Sequence, residues 1–259
     1  MSALPEPDEA DLERRFGGLR RLYGEAGYRR IRAARIGVVG VGGVGSWVAE
    51  ALARSGVAAL TLIDLDHVSE SNINRQVQAL DATLGQAKVL ALRDRIAQIH
   101  PACRVHAVEA FVEADNWPAL LPERIDALVD ACDQVRAKAL LAAWALDAGL
   151  PYVSVGAAGG KRRAQAVEVE DLAEVTHDPL LASLRQRLRQ RHAAARKGAI
   201  GVRCVFSREA VSEPDEACRV DGSLNCHGYG SAVSVTATFG LVAAGEIIEG
   251  LVVRDAVMV

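Results

Sequence analysis

The sequence predicts an α/β fold with a doubly wound, mostly parallel sheet, a C-terminal antiparallel extension and helices. An apolar run at 36–39 passes through closely spaced glycines into a helical segment. Further short apolar runs at 59–63, 125–129 and 152–155 are separated by helical or polar segments. Continuous apolar strands that alternate with helices are typical of a parallel sheet covered on both faces. These observations favour a Rossmann-like arrangement.

The first predicted strand leads into the pattern Gly40-x-Gly42-x-x-Gly45 and then into a helix that extends to about Arg54. Glycines let the backbone turn tightly and approach a phosphate group. Free N–H groups and the positive end of the helix dipole then meet the phosphate charge. The candidate phosphate contacts are Gly40, Gly42, Gly43 and Gly45.

The second predicted strand, 59–63, ends in Asp64, which lies 19 residues after Gly45. An acidic residue at this position can accept hydrogen bonds from ribose hydroxyls, and Asp66 is a second candidate beside it. The pattern therefore predicts a nucleotide-binding βαβ unit. By itself it would also suit a dehydrogenase.

A polar loop at 69–78 argues against a dehydrogenase, which would need these elements to hold a nicotinamide. The loop carries Asn72, Asn74 and Arg75, and Lys88 follows it. Asparagine and arginine suit phosphate oxygens as hydrogen-bond donors, and lysine supplies a compact charge for a leaving pyrophosphate. A single surface arginine or lysine is more often only solvated, so the ordered set carries the prediction.

The run at 125–129 ends in Asp130-Ala-Cys-Asp133. Ligands of open α/β sheets bind at the carboxyl ends of strands, where a carboxylate can hold Mg²⁺. The alternative is that the aspartate caps the next helix, expected to begin near Val135.

With these residues in order, the chain over about 15–155 resembles the ThiF/MoeB family, relatives of the ubiquitin-activating enzymes. The resemblance implies a homodimer that adenylates a carboxylate with MgATP. It implies that Asp64 binds the ribose, that Asn72, Arg75 and Lys88 bind the phosphates, and that Asp133 holds Mg²⁺; the catalytic set is Arg75, Lys88 and Asp133.

One departure from the family pattern lies near the N-terminus. The family often has Arg-Tyr-x-Arg-Gln, whose second arginine reaches the partner subunit's ATP. Here Arg15-Phe16 is followed by two glycines. Arg20 or Arg21 is the candidate replacement.

Composition agrees with an enzyme of this kind. The 259 residues are 50% hydrophobic, with a net charge of -3 that gives no global indication of nucleic-acid binding. We expect one elaborated domain: a mobile N-terminus at 1–14, an ATP-binding core at 15–158, and a substrate-binding and dimerisation elaboration at 159–259. Five scattered cysteines, an odd number, do not indicate a disulfide framework and favour the cytoplasm.

The segment 231–253 is apolar and long enough to suggest a membrane span, but Glu246 and Glu249 lie inside it. Charged residues within a span are costly, so we expect a buried helix or a dimer interface instead.

The second half separates the functional alternatives. Sulfur-carrier activators of this family usually hold zinc with two Cys-x-x-Cys pairs, and this chain has none, so no zinc is expected. After the strand at 152–155 the chain reads Gly156-Ala-Ala-Gly-Gly160. This loop either brings backbone carbonyls near a ligand or a monovalent cation, or makes a tight turn into the next strand.

Between 161 and 208, eleven Lys and Arg face five Asp and Glu, and acidic residues are absent from 179 to 208. The basic residues either form an exposed charged helix with no further role or provide a surface for a polyanion such as tRNA. The candidate tRNA contacts are Arg185, Arg187, Arg189, Arg191, Arg196 and Lys197.

The second half, together with two N-terminal segments, also resembles one branch of the family, the tRNA threonylcarbamoyladenosine dehydratases. The matching segments are 15–18, 21–24, 156–160, 178–180, 204–207 and 235–240. The branch resemblance implies ATP-dependent dehydration of N6-threonylcarbamoyladenosine in tRNA to its cyclic form.

Two alternatives remain open. One is an activator of a ubiquitin-like sulfur carrier, for which Cys226 beside His227 would be the nucleophile. The other is a sulfur-relay partner of a cysteine desulfurase system, with ATP as a structural ligand. A single cysteine before a helix is more often structural, so Cys226 has at most a minor role in the preferred hypothesis.

Overall fold

The computed structural model describes residues 10–212 and 229–253. Strands in these ranges are β1 (Arg35–Val39), β2 (Ala59–Ile63), β3 (Arg104–Val108), β4 (Ala127–Asp130), β5 (Tyr152–Val155), β6 (Val167–Asp171) and β7 (Arg203–Ser207). Helices there are α1 (Leu12–Phe16), α2 (Gly18–Ala33), α3 (Gly45–Arg54), α4 (Lys88–Ile99), α5 (Val135–Asp147), α6 (Pro179–Arg191) and α7 (Val233–Val253).

The seven described strands form one sheet in the order β3-β2-β1-β4-β5-β7-β6. Every pair is parallel except β6 with β7, which is antiparallel. At the centre, Val39 of β1 is aligned with Ile63 of β2 on one side and Asp130 of β4 on the other. The predicted fold class is therefore confirmed, including the antiparallel C-terminal extension. The order of strands reverses at β1, and ligands of such sheets bind outside the carboxyl ends of the strands at this point.

Sequence patterns located the central strands better than the edge strand. The runs at 59–63 and 152–155 match β2 and β5, and the run at 125–129 overlaps β4, which ends at Asp130. The edge strand β3 had no clear pattern because Arg104 and His106 interrupt its apolar residues. Both pair with Glu123, while the alternating residues Val105 and Ala107 pack against the core.

Part of the N-terminal segment expected to be mobile is helical. Residues 1–9 lie outside the described ranges, whereas α1 begins at Leu12. The Asp11 carboxylate accepts a hydrogen bond from the Arg14 N–H (2.9 Å), which caps the helix. Phe16 is buried against the ring of His100, with 4.7 Å between centroids. The expected mobility of 1–14 stays a prediction, with a capped helix starting inside this segment.

Helix α7 lies against the sheet and against α2 and α3. By length and composition it is apolar enough to cross a membrane, but half of its most apolar window is buried within the fold. A Cβ at Gly240 would lie 2.6 Å from the Val44 carbonyl oxygen, so glycine allows α3 and α7 to approach closely. Glu246 forms an ion pair with Arg203 (2.8 Å). These contacts support the prediction of a core helix.

Candidate functional site

A cavity of about 580 Å³ opens at the carboxyl ends of the central strands. Its walls come from the segments that follow β1, β2, β4 and β5, from the first turn of α6, and from the start of α7. The predicted site residues that line it are Gly40, Gly42, Gly43, Asp64, Asp66, Arg75, Lys88 and Asp133. A separate open groove of about 720 Å³ beside α1 and α4 contains none of the predicted site residues.

The glycine loop has no room for larger residues at two positions. Gly40 has a φ of +80°, and a Cβ there would lie 2.8 Å from the Cys132 backbone nitrogen. A Cβ at Gly45 would lie 1.8 Å from the Gly40 carbonyl oxygen, so this glycine lets α3 start directly against the loop. Gly42 and Gly43 line the cavity at the amino end of α3, where the helix dipole favours a phosphate.

Asp64 is held in position by two backbone donors. Its carboxylate accepts hydrogen bonds from the N–H groups of Val41 (2.8 Å) and Asp66 (2.9 Å). Burial raises the pKa of Asp64, and the charge of Lys88 and the two N–H groups partly oppose that shift. The side chain is thus fixed at the end of β2 and faces the cavity, which suits recognition of ribose hydroxyls.

Lys88 is almost buried, with 8% of its side chain exposed, and pairs with the exposed carboxylate of Asp66 at 2.8 Å. The pair spans the cavity wall between the end of β2 and the start of α4. A phosphate that binds Lys88 would have to replace or share this contact. The ammonium group is therefore held at the cavity wall beside Asp66.

The polar loop after β2 places Arg75, but not Asn72, at the cavity wall. Asn72 is 3% exposed, and its side-chain oxygen accepts a hydrogen bond from the Ser69 N–H (3.1 Å). The Arg75 guanidinium donates to the Ser71 carbonyl oxygen (2.6 Å), and the Trp47 indole donates to the Arg75 carbonyl oxygen (3.0 Å). Asn72 thus shapes the loop that presents Arg75.

Asp133 is exposed at the cavity, where it follows β4. The N-cap residue of α5 is Gln134, so Asp133 is not the helix cap. Gln134 itself makes no side-chain hydrogen bond to the helix. Within 10–212 and 229–253, no group of three or more metal-ligating side chains is arranged to hold an ion by itself. Mg²⁺ commonly uses one or two carboxylates together with substrate phosphates, and Asp133 fits that pattern.

A buried ion pair lies at the end of β4, three residues before Asp133 in the chain, and sequence reasoning missed half of it. Asp130 and Lys138 are both fully buried, 2.9 Å apart. Asp130 also accepts hydrogen bonds from the hydroxyls of Tyr152 (2.9 Å) and Ser154 (3.0 Å). Burial by itself lowers the pKa of Lys138, but the charge of Asp130, together with Cys132, the hydrogen bond to Asp130 and Cys204, makes the net shift upward. The available signal was one lysine in the apolar segment of α5.

Beyond β5, the glycine-rich loop is tied to the start of α6 by Asp178, which is 3% exposed. One carboxylate oxygen accepts from the Ala157 N–H (2.8 Å) and the other from the Leu181 N–H (2.9 Å), which caps the helix. A Cβ at Gly156 would lie 2.2 Å from this carboxylate, so the loop requires glycine there. Helix α6 therefore starts at the cavity wall and carries its basic residues away from it.

The six basic candidates differ in their surroundings. The Arg185 guanidinium donates to the carbonyl oxygens of Leu172 (2.9 Å) and Val175 (2.8 Å), so it helps hold the segment before α6. Arg189 donates to the Ala195 carbonyl oxygen (3.0 Å). The ion pairs of the described residues include none with the remaining four, Arg187, Arg191, Arg196 and Lys197, and the last three of these are exposed.

The cysteines of the described ranges are poorly suited to nucleophilic chemistry. Burial raises the pKa of Cys103 to about 12 and also raises those of Cys132 and Cys204. Cys226, the candidate nucleophile of the sulfur-carrier hypothesis, lies outside the described residues, as does Cys218. Arg21 is exposed on α2 and does not line the cavity.

Comparison with known proteins agrees with this geometry. The chain matches the ThiF family over residues 15–257. It is 42% identical over 254 residues to the tRNA threonylcarbamoyladenosine dehydratase of Escherichia coli (strain K12), covering 93% of this chain and 95% of that protein. The crystal structure of the E. coli dehydratase with ATP superposes with a TM-score of 0.87 at 43% identity, covering 95% of this chain and 98% of that one. Its complex with AMP gives a TM-score of 0.87 at 42% identity, covering 98% and 99%. The chain therefore belongs to the ThiF family.

Proposed function

We propose that this protein is an ATP-dependent tRNA threonylcarbamoyladenosine dehydratase, which converts N6-threonylcarbamoyladenosine in tRNA to its cyclic form. One observation carries the proposal: the nucleotide loop and the amino end of the basic helix α6 line the same cavity. An enzyme that adenylates a group attached to tRNA needs ATP and the RNA at one place. The relatives named for this activity, and their complexes with ATP and AMP, support the same function.

The chemistry explains why a carboxylate needs this site. A free carboxylate is a poor electrophile because its charge repels a nucleophile. Its oxygen attacks the α-phosphorus of ATP, pyrophosphate leaves, and a mixed anhydride forms. An internal nitrogen or oxygen of the same modified base then attacks the carbonyl carbon, AMP leaves and a proton is released. Relative to the starting base, the net change is loss of one water.

Each predicted catalytic residue has a defined task in the first step. Arg75 and Lys88 stabilise charge that develops on the phosphates, with Lys88 exchanging its contact with Asp66 for a phosphate oxygen. Asp133 would hold Mg²⁺ together with the phosphates, and the metal would neutralise charge on the leaving pyrophosphate. Asp64 binds the ribose. Ring closure is intramolecular and needs mainly positioning, so no protein thioester is required.

The basic residues of α6 and the segment after it are proposed to hold the tRNA backbone. Ser183 lines the cavity and Arg191 ends the helix, eight residues later. At 1.5 Å per residue this separation is about 12 Å along the axis, which is within the span of a few nucleotides. Arg187, Arg191, Arg196 and Lys197 supply the phosphate contacts, and Arg185 and Arg189 also support the fold.

The remaining parts of the proposal concern assembly and location. We place the protein in the cytoplasm as a homodimer, with Arg20 or Arg21 directed to the partner subunit's nucleotide. Arg20 pairs with Glu13 at 2.6 Å in the single chain, whereas Arg21 is exposed. No zinc is expected, and a link to a cysteine desulfurase system stays a prediction.

The test uses tRNA that carries the modified base, MgATP and the purified protein, followed by nucleoside mass spectrometry. We expect the nucleoside to lose the mass of one water. Lys88→Met should slow turnover about 100-fold or more, which corresponds to about 2.7 kcal/mol of transition-state stabilisation. Arg93→Met, on the exposed side of the same helix, is the matched control and should retain activity.

Other outcomes would favour the alternatives. Pyrophosphate exchange that depends on a ubiquitin-like carrier, with a thioester lost in Cys226→Ala, would identify a sulfur-carrier activator. Unchanged tRNA modification after Asp133→Ala would favour a relay partner that uses ATP only as a structural ligand. Carrier-dependent exchange with no mass change of the nucleoside contradicts the dehydratase, and retained modification in Asp133→Ala contradicts the catalytic role of Asp133.

A further inference from the structure

The backbone just before Asp133 is tied on both sides of Cys132 to the buried Asp130–Lys138 pair. One oxygen of the Asp130 carboxylate, Oδ1, accepts a hydrogen bond from the Cys132 N–H (3.1 Å). The Nζ of Lys138 donates to the Cys132 carbonyl oxygen (3.0 Å) and lies 2.9 Å from Oδ2 of Asp130. That carbonyl belongs to the peptide bond that leads into Asp133. The pair therefore holds the peptide group on the amino side of Asp133.

The pair is anchored to two strands at the centre of the sheet. Oδ2 of Asp130 accepts hydrogen bonds from the hydroxyls of Tyr152 (2.9 Å) and Ser154 (3.0 Å), in addition to its contact with Lys138. Oδ1 accepts from the N–H and the thiol of Cys132. Asp130 on β4 is aligned with Ser154 on β5, so these hydroxyl donors belong to a neighbouring strand of fixed register. Both carboxylate oxygens thus have partners that do not move with the turn.

Lys138 joins the end of β4 to the start of α5. It lies in the first turn of the helix, where its backbone N–H donates to the Gln134 carbonyl oxygen (2.9 Å). Its side chain is fully buried and reaches back to Asp130, the last residue of the strand. Asp133 and Gln134 lie between these two points and are exposed. The lysine therefore closes the turn that presents Asp133 to the cavity.

Stability alone does not account for a buried pair at this place. Removing two charges from water is costly, and well-packed apolar side chains of similar volume are often as stable or more stable. What a buried pair with satisfied hydrogen bonds adds is one defined geometry. Such a geometry matters for a metal ligand, because Mg²⁺ requires near-ideal octahedral coordination at about 2.0–2.1 Å. Because Asp133 is exposed, its location depends on the backbone of the turn that carries it.

We propose that Lys138 is a positioning residue, which acts through Asp130 and the Cys132 carbonyl oxygen to hold Asp133 where its carboxylate can bind Mg²⁺ together with ATP. Lys138 is fully buried and is not one of the residues that line the cavity, so it touches neither the metal nor the nucleotide. It controls how much Mg²⁺ adds to nucleotide affinity, and the affinity for the nucleotide without metal is independent of it. The inference rests on the metal role of Asp133 in the proposed function.

The test measures binding of α,β-methylene-ATP, which cannot release pyrophosphate, to the full chain by titration calorimetry. The quantity compared is the dissociation constant in EDTA divided by that in excess MgCl₂. Lys138→Met should lower this ratio to that of Asp133→Asn, a loss of about 10-fold or more, with the constant in EDTA within about 3-fold of the wild type. Leu188→Ala, which loses packing in the apolar cluster that includes the neighbours of Lys138 on α5, is the control. Its thermal unfolding midpoint should fall while its ratio stays that of the wild type.

Three results would overturn the proposal. A wild-type ratio in Lys138→Met, with a lowered ratio in Asp133→Asn, would show that the pair does not position Asp133 and would leave the proposed function intact. An unchanged ratio in Asp133→Asn would remove the metal role of Asp133 from the proposed function, and the inference with it. A lowered ratio in Leu188→Ala would show that loss of stability is sufficient.

Lys138→Met leaves the Asp130 carboxylate without its cation, so a second variant covers the case in which it does not fold. Asp130→Asn/Lys138→Met has no unpaired buried charge and lacks the ammonium that holds the Cys132 carbonyl oxygen. A ratio equal to that of Asp133→Asn in this double variant supports the proposal, and a wild-type ratio contradicts it.

Discussion

A buried histidine at the end of α4 should make the stability of this protein fall in mild acid. His100 is 1% exposed, and its ring contacts that of Phe16 at an interplanar angle of 58°. Its Nε2 lies 3.0 Å from the Arg32 guanidinium, and Arg15 on α1 adds a second positive charge nearby. Burial, followed by these two charges, lowers the pKa of His100 from 6.5 to about 4. The folded protein therefore holds this imidazole neutral where the unfolded chain would protonate it.

The magnitude follows from proton linkage. Because the pKa is lower in the folded state, the contribution of His100 is fully present above pH 6.5 and is lost as the pH falls toward 4. The full difference of 2.5 pKa units corresponds to about 3.4 kcal/mol, and about 2 kcal/mol of it is lost by pH 5. This loss is a large part of the free energy of unfolding of a typical domain, which is about 5–15 kcal/mol.

The assay is urea unfolding at pH 7.5 and pH 5.0 for the wild type and His100→Gln. Glutamine cannot titrate, so its loss of stability between the two pH values should be smaller by about 2 kcal/mol. His192→Gln, at an exposed position after α6, is the control and should keep the wild-type pH dependence. If His100→Gln loses as much stability as the wild type, to within about 0.5 kcal/mol, the reasoning about His100 is wrong.

Three further predictions concern the site and the basic helix. Gly45→Ala places a Cβ 1.8 Å from a backbone oxygen and should weaken ATP binding at least about 10-fold by titration calorimetry, whereas Gly245→Ala on α7, with no atom within 4 Å of its Cβ, should retain binding. Asp178→Ala removes a helix cap and the tie to the glycine-rich loop and should lower the free energy of unfolding by about 1–3 kcal/mol, measured with urea; no change would contradict its role. Arg191→Ala should reduce the slope of log K against log[salt] for tRNA binding by about 0.7–0.9 without changing stability. Arg185→Ala should lower the free energy of unfolding by about 1 kcal/mol. The reverse pattern would contradict the roles given to these two arginines.

Much of the nucleotide site was predictable because local backbone rules control it. Close packing at Gly40 and Gly45 admits no side chain, so the glycine spacing is visible in the sequence. Asp64 follows directly from the end of a buried strand, and the parallel topology brings it to the same edge as Asp133. The cavity indeed collects these residues, although their roles toward ATP stay predictions.

Other parts of the site depend on contacts between segments distant in the chain. The sequence suggested Asn72 as a phosphate ligand, which stays a prediction; only the fold shows that this side chain is buried and accepts a hydrogen bond within its own loop. A lysine in the apolar segment of α5 was visible in the sequence, but its pairing with Asp130 depends on how α5 packs on the sheet. The alignment of Asp130 with Ser154 across β4 and β5 brings a third polar group to that pair.

The sequence by itself determined the α/β class, the glycine loop with its acidic strand end, and the basic segment, because spacing and composition are properties of neighbouring residues. Only the tertiary structure decided which of those side chains reach the cavity and which are used inside the fold. Arg185 and Arg191 are alike in sequence, yet one is tied to backbone carbonyls and the other is exposed. Lys161 is one more basic residue in the sequence, but in the fold it is enclosed by two separate segments, at His177 and at 207–209. The reason is that burial and hydrogen bonding of a charged group depend on segments that meet only when the chain folds.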